Sequence, residues 1–194
     1  MQSVDSITQA TLEVKKSLFI SYLVPLSEFE SLHVKLKSEH PKAAHIVWAR
    51  RFLNEYAQIV ENNSDDGEPK GTSGPPVLNV MRGSELIEVG ILIVRYFGGI
   101  KLGTGGLVRA YGSSAKEVIA SAVLKTFVIK EGVIFTCEYP LAPRFEHYCL
   151  THGLLFERKF DVHNVLWTMQ MSQEEKEAFL LFAHPFERDG FTLL

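Results

Sequence analysis

Apolar positions along the first 60 residues change period twice. Thr11–Val24 (TLEVKKSLFISYLV) is rich in β-branched and aromatic residues and stops before Pro25, which predicts a strand or a bent strand pair. Phe29, Leu32 and Leu36 then recur at helical spacing and end before Pro41. Ser27 and Glu30 have the spacing of a capping box at that helix's start. Ala44–Ala49 and Tyr56–Val60 return to short apolar runs and predict a hairpin. Leu86–Tyr96 is almost continuously apolar, as a central strand is. A helix follows from about Gly105 to Leu124, with Leu107, Tyr111, Ser114, Val118 and Ala122 on one side. Val128–Lys130 reads as a weak edge strand or a linker.

Beyond residue 131 the pattern is tighter. Val133–Tyr139 reads as a strand, Ala142–His152 as a helix stopped by Gly153, and Leu154–Phe160 as a strand. Val165, Trp167, Met169 and Met171 alternate strictly, the mark of a strand with one buried face. Ser172 and Glu175 form a capping box before a helix carrying Phe179 and Phe182, and Gly190–Leu194 gives a fourth strand. The order β-α-β-β-α-β is that of a ferredoxin-like domain. The expected organisation is α+β in two domains, 1–130 and 131–194.

Charge sharpens that division. Residues 1–130 hold 15 Lys+Arg against 13 Asp+Glu, and residues 131–194 hold 5 against 10. The basic excess peaks over 95–130, where six cations meet one acid, Glu117. Such a segment in a chain of net charge −3 favours one anionic partner bound at one spot, or else a solvated helix face. The acidic second domain offers a face for a protein partner. The start, MQSVDSITQA, has no signal-peptide pattern, and the longest aliphatic run is too short to span a bilayer, so a cytoplasmic location and no membrane are expected. Cys137 and Cys149 have neither zinc nor redox spacing and read as buried thiols.

The stretch RYFGGIKLGTGGLVR, 95–109, carries the chemistry. Gly98 and Gly99 can end the strand in a tight turn, and Gly103, Gly105 and Gly106 stand at the start of the helix. A helix N-terminus presents unpaired N–H groups to a phosphate. Arg95 and Lys101 can add charge there, and Arg109 and Lys116, seven residues apart, continue a basic stripe along the helix. Such turns also occur for packing alone, and this one has neither P-loop nor Rossmann spacing. Trp48, Tyr96, Phe97 and Tyr111 could stack on bases, with a core position the simpler reading. His45 reads as a core or edge histidine.

The segment ENNSDDGEPKGTSGPP, 61–76, is too rich in Gly and Pro for regular structure until a short helix from Pro75 or Pro76 through Met81, capped by Ser73. Asp65, Asp66 and Glu68 admit three readings: a Mg²⁺ site, a turn, or salt bridges to Arg95 or Lys101 that shape the basic loop. No catalytic residue, metal or cofactor is assigned.

SDDGEPKGTSGPPVLNV followed by VRYFGGIKLGTGGLVRAYG resembles the Impact family, over Lys16–Leu124. The resemblance implies a first domain like the second domain of ribosomal protein S5, with a left-handed βαβ crossover. It also implies a ferredoxin-like second domain, the pair resembling domains IV and V of elongation factor G. It makes Asp65, Asp66, Gly67 and Glu68 signature residues, together with Arg95, the glycines of the 98–106 turn, Lys101 and Arg109. The functional expectation is a nucleic-acid-binding protein acting on RNA or the ribosome in translation or its regulation. The alternatives are a Mg²⁺-dependent phosphoester or nucleotide hydrolase using the three acids, and a protein adaptor.

Overall fold

The computed structural model describes residues 1–194, which divide into two units, Met1–Phe127 and Val128–Leu194. In the first, a short β1 (Gln2–Ser3) precedes a hairpin of β2 (Thr8–Val14) and β3 (Ser17–Pro25). Then come α1 (Leu26–Glu39), β4 (His45–Leu53), β5 (Ile59–Ser64), α2 (Gly74–Gly83), β6 (Val89–Tyr96), α3 (Thr104–Ala120) and β7 (Lys125–Thr126). The sheet order is β2-β3-β6-β4-β5, antiparallel at every step. β3 and β4 therefore run parallel, joined through α1, with β6 between them.

This arrangement explains the continuous apolar run of β6. Leu92 and Val94 face α1 and pack with Phe29, Leu32 and Leu36. Val89, Ile91 and Ile93 face α2 and α3 and pack with Val77, Met81, Leu107, Tyr111 and Val118. A strand buried on both faces has no polar side to alternate with. A Cβ on Gly90 would stand 2.1 Å from Phe29, so only glycine lets α1 close on that face.

Several boundaries differ from the sequence reading. α1 starts one residue before Ser27 without a side-chain cap, and Glu30 bonds Arg50 at 2.7 Å instead of closing a capping box. Ser73 does not cap α2 with its own side chain. α3 ends at Ala120, because Ser121 and Ala122 turn the chain toward β7, which pairs with β1. The short strand is thus Lys125–Thr126, and 128–130, of the two alternatives, is the linker.

The second unit contains β8 (Glu131–Glu138), α4 (Ala142–Thr151), β9 (Phe156–Phe160), β10 (Asn164–Met171), α5 (Gln173–Ala183) and β11 (Phe191–Leu193). Its antiparallel order β11-β8-β10-β9 is the ferredoxin-like one. The alternating residues of β8 and β10 meet Phe145 of α4 and Phe179 of α5, and Phe135 stacks on Trp167 at 5.6 Å. Ser172 and Glu175 form the capping box read from the sequence, with bonds of 3.1 and 2.7 Å. Both cysteines are free and buried, and burial pushes the Cys149 thiol up to about 11, which leaves it an inert thiol.

Candidate functional site

Strand parity decides the fate of Arg95. It is next in the series Val89, Ile91, Ile93, so its side chain points to the α3 face. Register places Phe19 of β3 and His45 of β4 on either side of it. The guanidinium lies 5.6 Å over the Phe19 ring and donates to Glu68 Oε1 at 2.5 Å. Tyr111 donates its hydroxyl to the same oxygen at 2.7 Å. The Arg95 and Glu68 side chains are 7% and 3% exposed. Burial first, then the bond to Glu68, holds the Tyr111 phenol above its usual range, so it remains a donor. The expectation that Arg95 is a free phosphate contact is therefore corrected: its charge is already answered by Glu68, the salt-bridge reading of the acidic segment.

The other two acids are also occupied. Asp65 Oδ1 accepts from Ser73 Oγ at 2.6 Å and from the amides of Gly74 at 2.8 Å and Ser73 at 3.1 Å; Oδ2 accepts from the Gly71 amide at 2.7 Å. Burial opposes ionisation there, and the four bonds outweigh it, holding the carboxyl below its usual range. Asp65 thus caps α2 from eight residues upstream of Ser73, the role the sequence reading gave to Ser73. Asp66, in the left-handed region at φ 45°, accepts from Ile46 N–H at 2.6 Å on Oδ2. The three acids do not form the cluster the Mg²⁺ reading needs: Asp65 and Asp66 are turned to donors of the chain, one Glu68 oxygen is taken by Arg95 and Tyr111, and no three His, Cys, Asp or Glu side chains are grouped to hold a metal.

The cations further along remain outward. Lys101, Arg109 and Lys116 are exposed and make no ion pair. α3 is 17 residues long and starts after Gly103, at φ 72°, with no side-chain cap. Its first intrahelical bond runs from Leu107 N–H to Gly103 O at 2.9 Å, so the amides of Thr104, Gly105 and Gly106 lie ahead of the ladder. A Cβ on Gly105 would stand 3.6 Å from Arg109 Nη1, which shows that guanidinium folded back toward the helix start.

Gly98 has a different task from the other glycines of the turn. A Cβ there would meet the Lys16 carbonyl carbon at 2.0 Å, so only glycine lets the loop lie against the β2–β3 hairpin. That hairpin turns on Lys15 and Lys16 at φ 47° and 66°, a conformation usually left to Asn and Gly. Lys15 consequently lines a shallow depression with Gly106, Arg109 and Ser113. Sequence reasoning missed Lys15, although two charged residues between paired strand runs were its signal.

Beside this basic face lies a cleft of about 560 Å³ walled by His45, Pro69, Phe97, Leu102 and Leu107, with Glu68 and Arg95 also lining it and Lys101 and Thr104 at the helix start. Phe97 is 53% exposed, against the simpler reading of a core residue, whereas Tyr111 is fully buried. His45 stands in the cleft wall, held by its Nδ1 2.7 Å from the Asp66 carbonyl.

Fold and site together define a two-domain α+β protein whose first domain carries an open, cationic helix start beside a cleft. The Impact N-terminal domain matches residues 15–119, a span holding every element of that site. An IMPACT family member of Haemophilus influenzae is 35% identical over 86% of this chain and 82% of its own length. YvyE, an IMPACT family member of Bacillus subtilis, is 43% identical over 86% of this chain and 77% of its own. The chain belongs to the Impact family. Among solved structures, a crystal structure of a hypothetical protein superposes over 100% of this chain and 95% of its own with a TM-score of 0.73 at 27% identity. The two-domain translational regulator Yih1 matches 61% of this chain and 48% of its own at 21% identity and a TM-score of 0.42, a likeness too distant to carry function.

Proposed function

We propose that this protein binds RNA, as structured RNA or on the ribosome, through the face formed by Lys15, the 97–106 loop and the outer side of α3, and that it acts in translation or its regulation. Translation is the setting that the family resemblance implies. One observation carries the binding: Lys101 and Arg109 crowd the positive end of α3 with no acid of the chain paired to them. Cations are unfavourable at a helix N-terminus, and an external anion resolves the conflict. Lys116 extends the face by two turns, and Lys15 widens it, which suits a phosphate backbone better than a single small anion. Arg95 answers the Glu68 charge beside the face.

Fluorescence anisotropy with a structured RNA over a salt series tests the reading. Each phosphate neutralised contributes a slope of about −0.7 to −0.9 in log affinity against log salt, so four cations predict a slope near −3. K101E/R109E should abolish binding at moderate salt while the fold is kept. Affinity flat in salt, or unchanged in that variant, rules the face out.

A further inference from the structure

The cleft floor holds polar atoms that phosphate binding does not use. Glu68 Oε1 is taken twice, by Arg95 and Tyr111, but Oε2 accepts no hydrogen bond within the chain, although the side chain is 97% buried and lines the cleft. His45 Nε2 stands 3.8 Å from it, beyond bonding reach. The His45 Nδ1 faces a carbonyl oxygen, so in the neutral ring Nδ1 carries the proton and Nε2 is an acceptor. Arg95 adds a donor beside them: Nη1 is committed to Glu68, and Nη2 makes no hydrogen bond within the chain. Two acceptors and one donor thus share the floor, and Phe97, 53% exposed, lines the cleft with the Arg95 guanidinium 5.8 Å from its ring centroid, leaving the opposite side of the ring for a stacked base.

Among the bases, the edge of guanine alone presents two adjacent donors, N1–H and N2–H₂, next to an acceptor, O6. Adenine and cytosine have one donor there, and uracil has one donor between two acceptors. A cleft of this size holds one nucleotide. We infer that the cleft takes a single unpaired guanine nucleotide. The base stacks on Phe97, its donors meet Glu68 Oε2 and His45 Nε2, and its phosphate rests on Lys101 and the amides that open α3. The inference deepens the RNA reading and rests on it. The basic face supplies affinity and this cleft supplies selection.

The test uses U-rich RNA nonamers that differ only in a central G or A, with GMP and AMP as free nucleotides, titrated against the whole chain. The central-G nonamer should bind about tenfold or more tightly than the central-A one. F97A, at an exposed position, should remove most of that difference. E68Q can keep its bonds to Arg95 and Tyr111 through the amide oxygen while turning an NH₂ toward the cleft, and should erase the preference. GMP bound more tightly than AMP supports the site, and GMP bound more tightly than the G nonamer assigns it to free nucleotide. G and A nonamers binding within twofold of each other, or a G preference that survives both F97A and E68Q, overturns the inference. If such equal binding is lost in K101E/R109E, the RNA reading stands while the guanine site falls.

Discussion

The helix starts of α2 and α3 lie in segments that look alike on paper: both are Gly-rich, both are strongly charged, and both follow a strand. They end in opposite states. The N-terminus of α2 receives the Asp65 carboxylate, which bonds three amides and a hydroxyl. The N-terminus of α3 has no side-chain cap and gathers cations. The difference lies in where the anion comes from. In the first segment, the Asp66–Gly67 turn, with both residues at positive φ, folds a neighbouring carboxylate back onto the helix. In the second, the one acid nearby in sequence, Glu117, sits more than three turns down the helix. A helix start that its own chain does not satisfy is the one available to a ligand.

The Glu68–Arg95 pair joins the two segments, and breaking it should have the largest effect on stability. R95A or E68A leaves an uncompensated buried charge and should cost about 3–5 kcal/mol in urea unfolding. A loss below about 1 kcal/mol would mean the pair is solvated and the cleft floor misassigned.

Removing the internal anion of α2 comes next. D65A should cost about 2 kcal/mol by the same measurement. The folded carboxyl titrates below its ordinary value of 3.8, so its contribution is complete above that pH and is lost as pH falls through the depressed value. The gap between wild type and D65N should therefore close progressively below about pH 3.8; a constant gap across that range would deny Asp65 its capping role.

Relaxing the hairpin turn works in the other direction. K15N/K16G supplies the residues that two positive φ values favour, and should raise stability by about 1 kcal/mol while weakening RNA binding. Stability and binding rising together would remove Lys15 from the face.

The smallest change in stability should come from making α3 resemble α2. T104D places a carboxylate in the first turn and should stabilise by about 0.5 kcal/mol. It should nonetheless compete with any phosphate there, and RNA affinity unaltered in T104D would place the anion elsewhere.

Much of this was legible from residue order. Alternation through Val165–Met171 gave the inner face of the second domain, and the Ser172–Glu175 spacing gave its cap, because both depend on neighbours within a few residues. The glycine-rich turn and the outward Lys101, Arg109 and Lys116 were legible for the same reason. Even the inward turn of Arg95 follows from counting by twos from Val89, once the strand is known to be covered on both faces.

What the sequence could not supply was pairing across distance. Glu68 meets Arg95 from 27 residues away and Tyr111 from 43, and Asp65 rather than Ser73 closes α2. Local pattern fixes which way a side chain faces, since a strand repeats every two residues and a helix every 3.6. Which charge it meets there depends on sheet order and register, and these arise only when β3, β6 and β4 lie side by side. That step turned Asp65 and Asp66 from ligand contacts into framework, paired Glu68 with Arg95 in the cleft floor, and left the helix start of α3 as the charged surface with no acid of the chain on it.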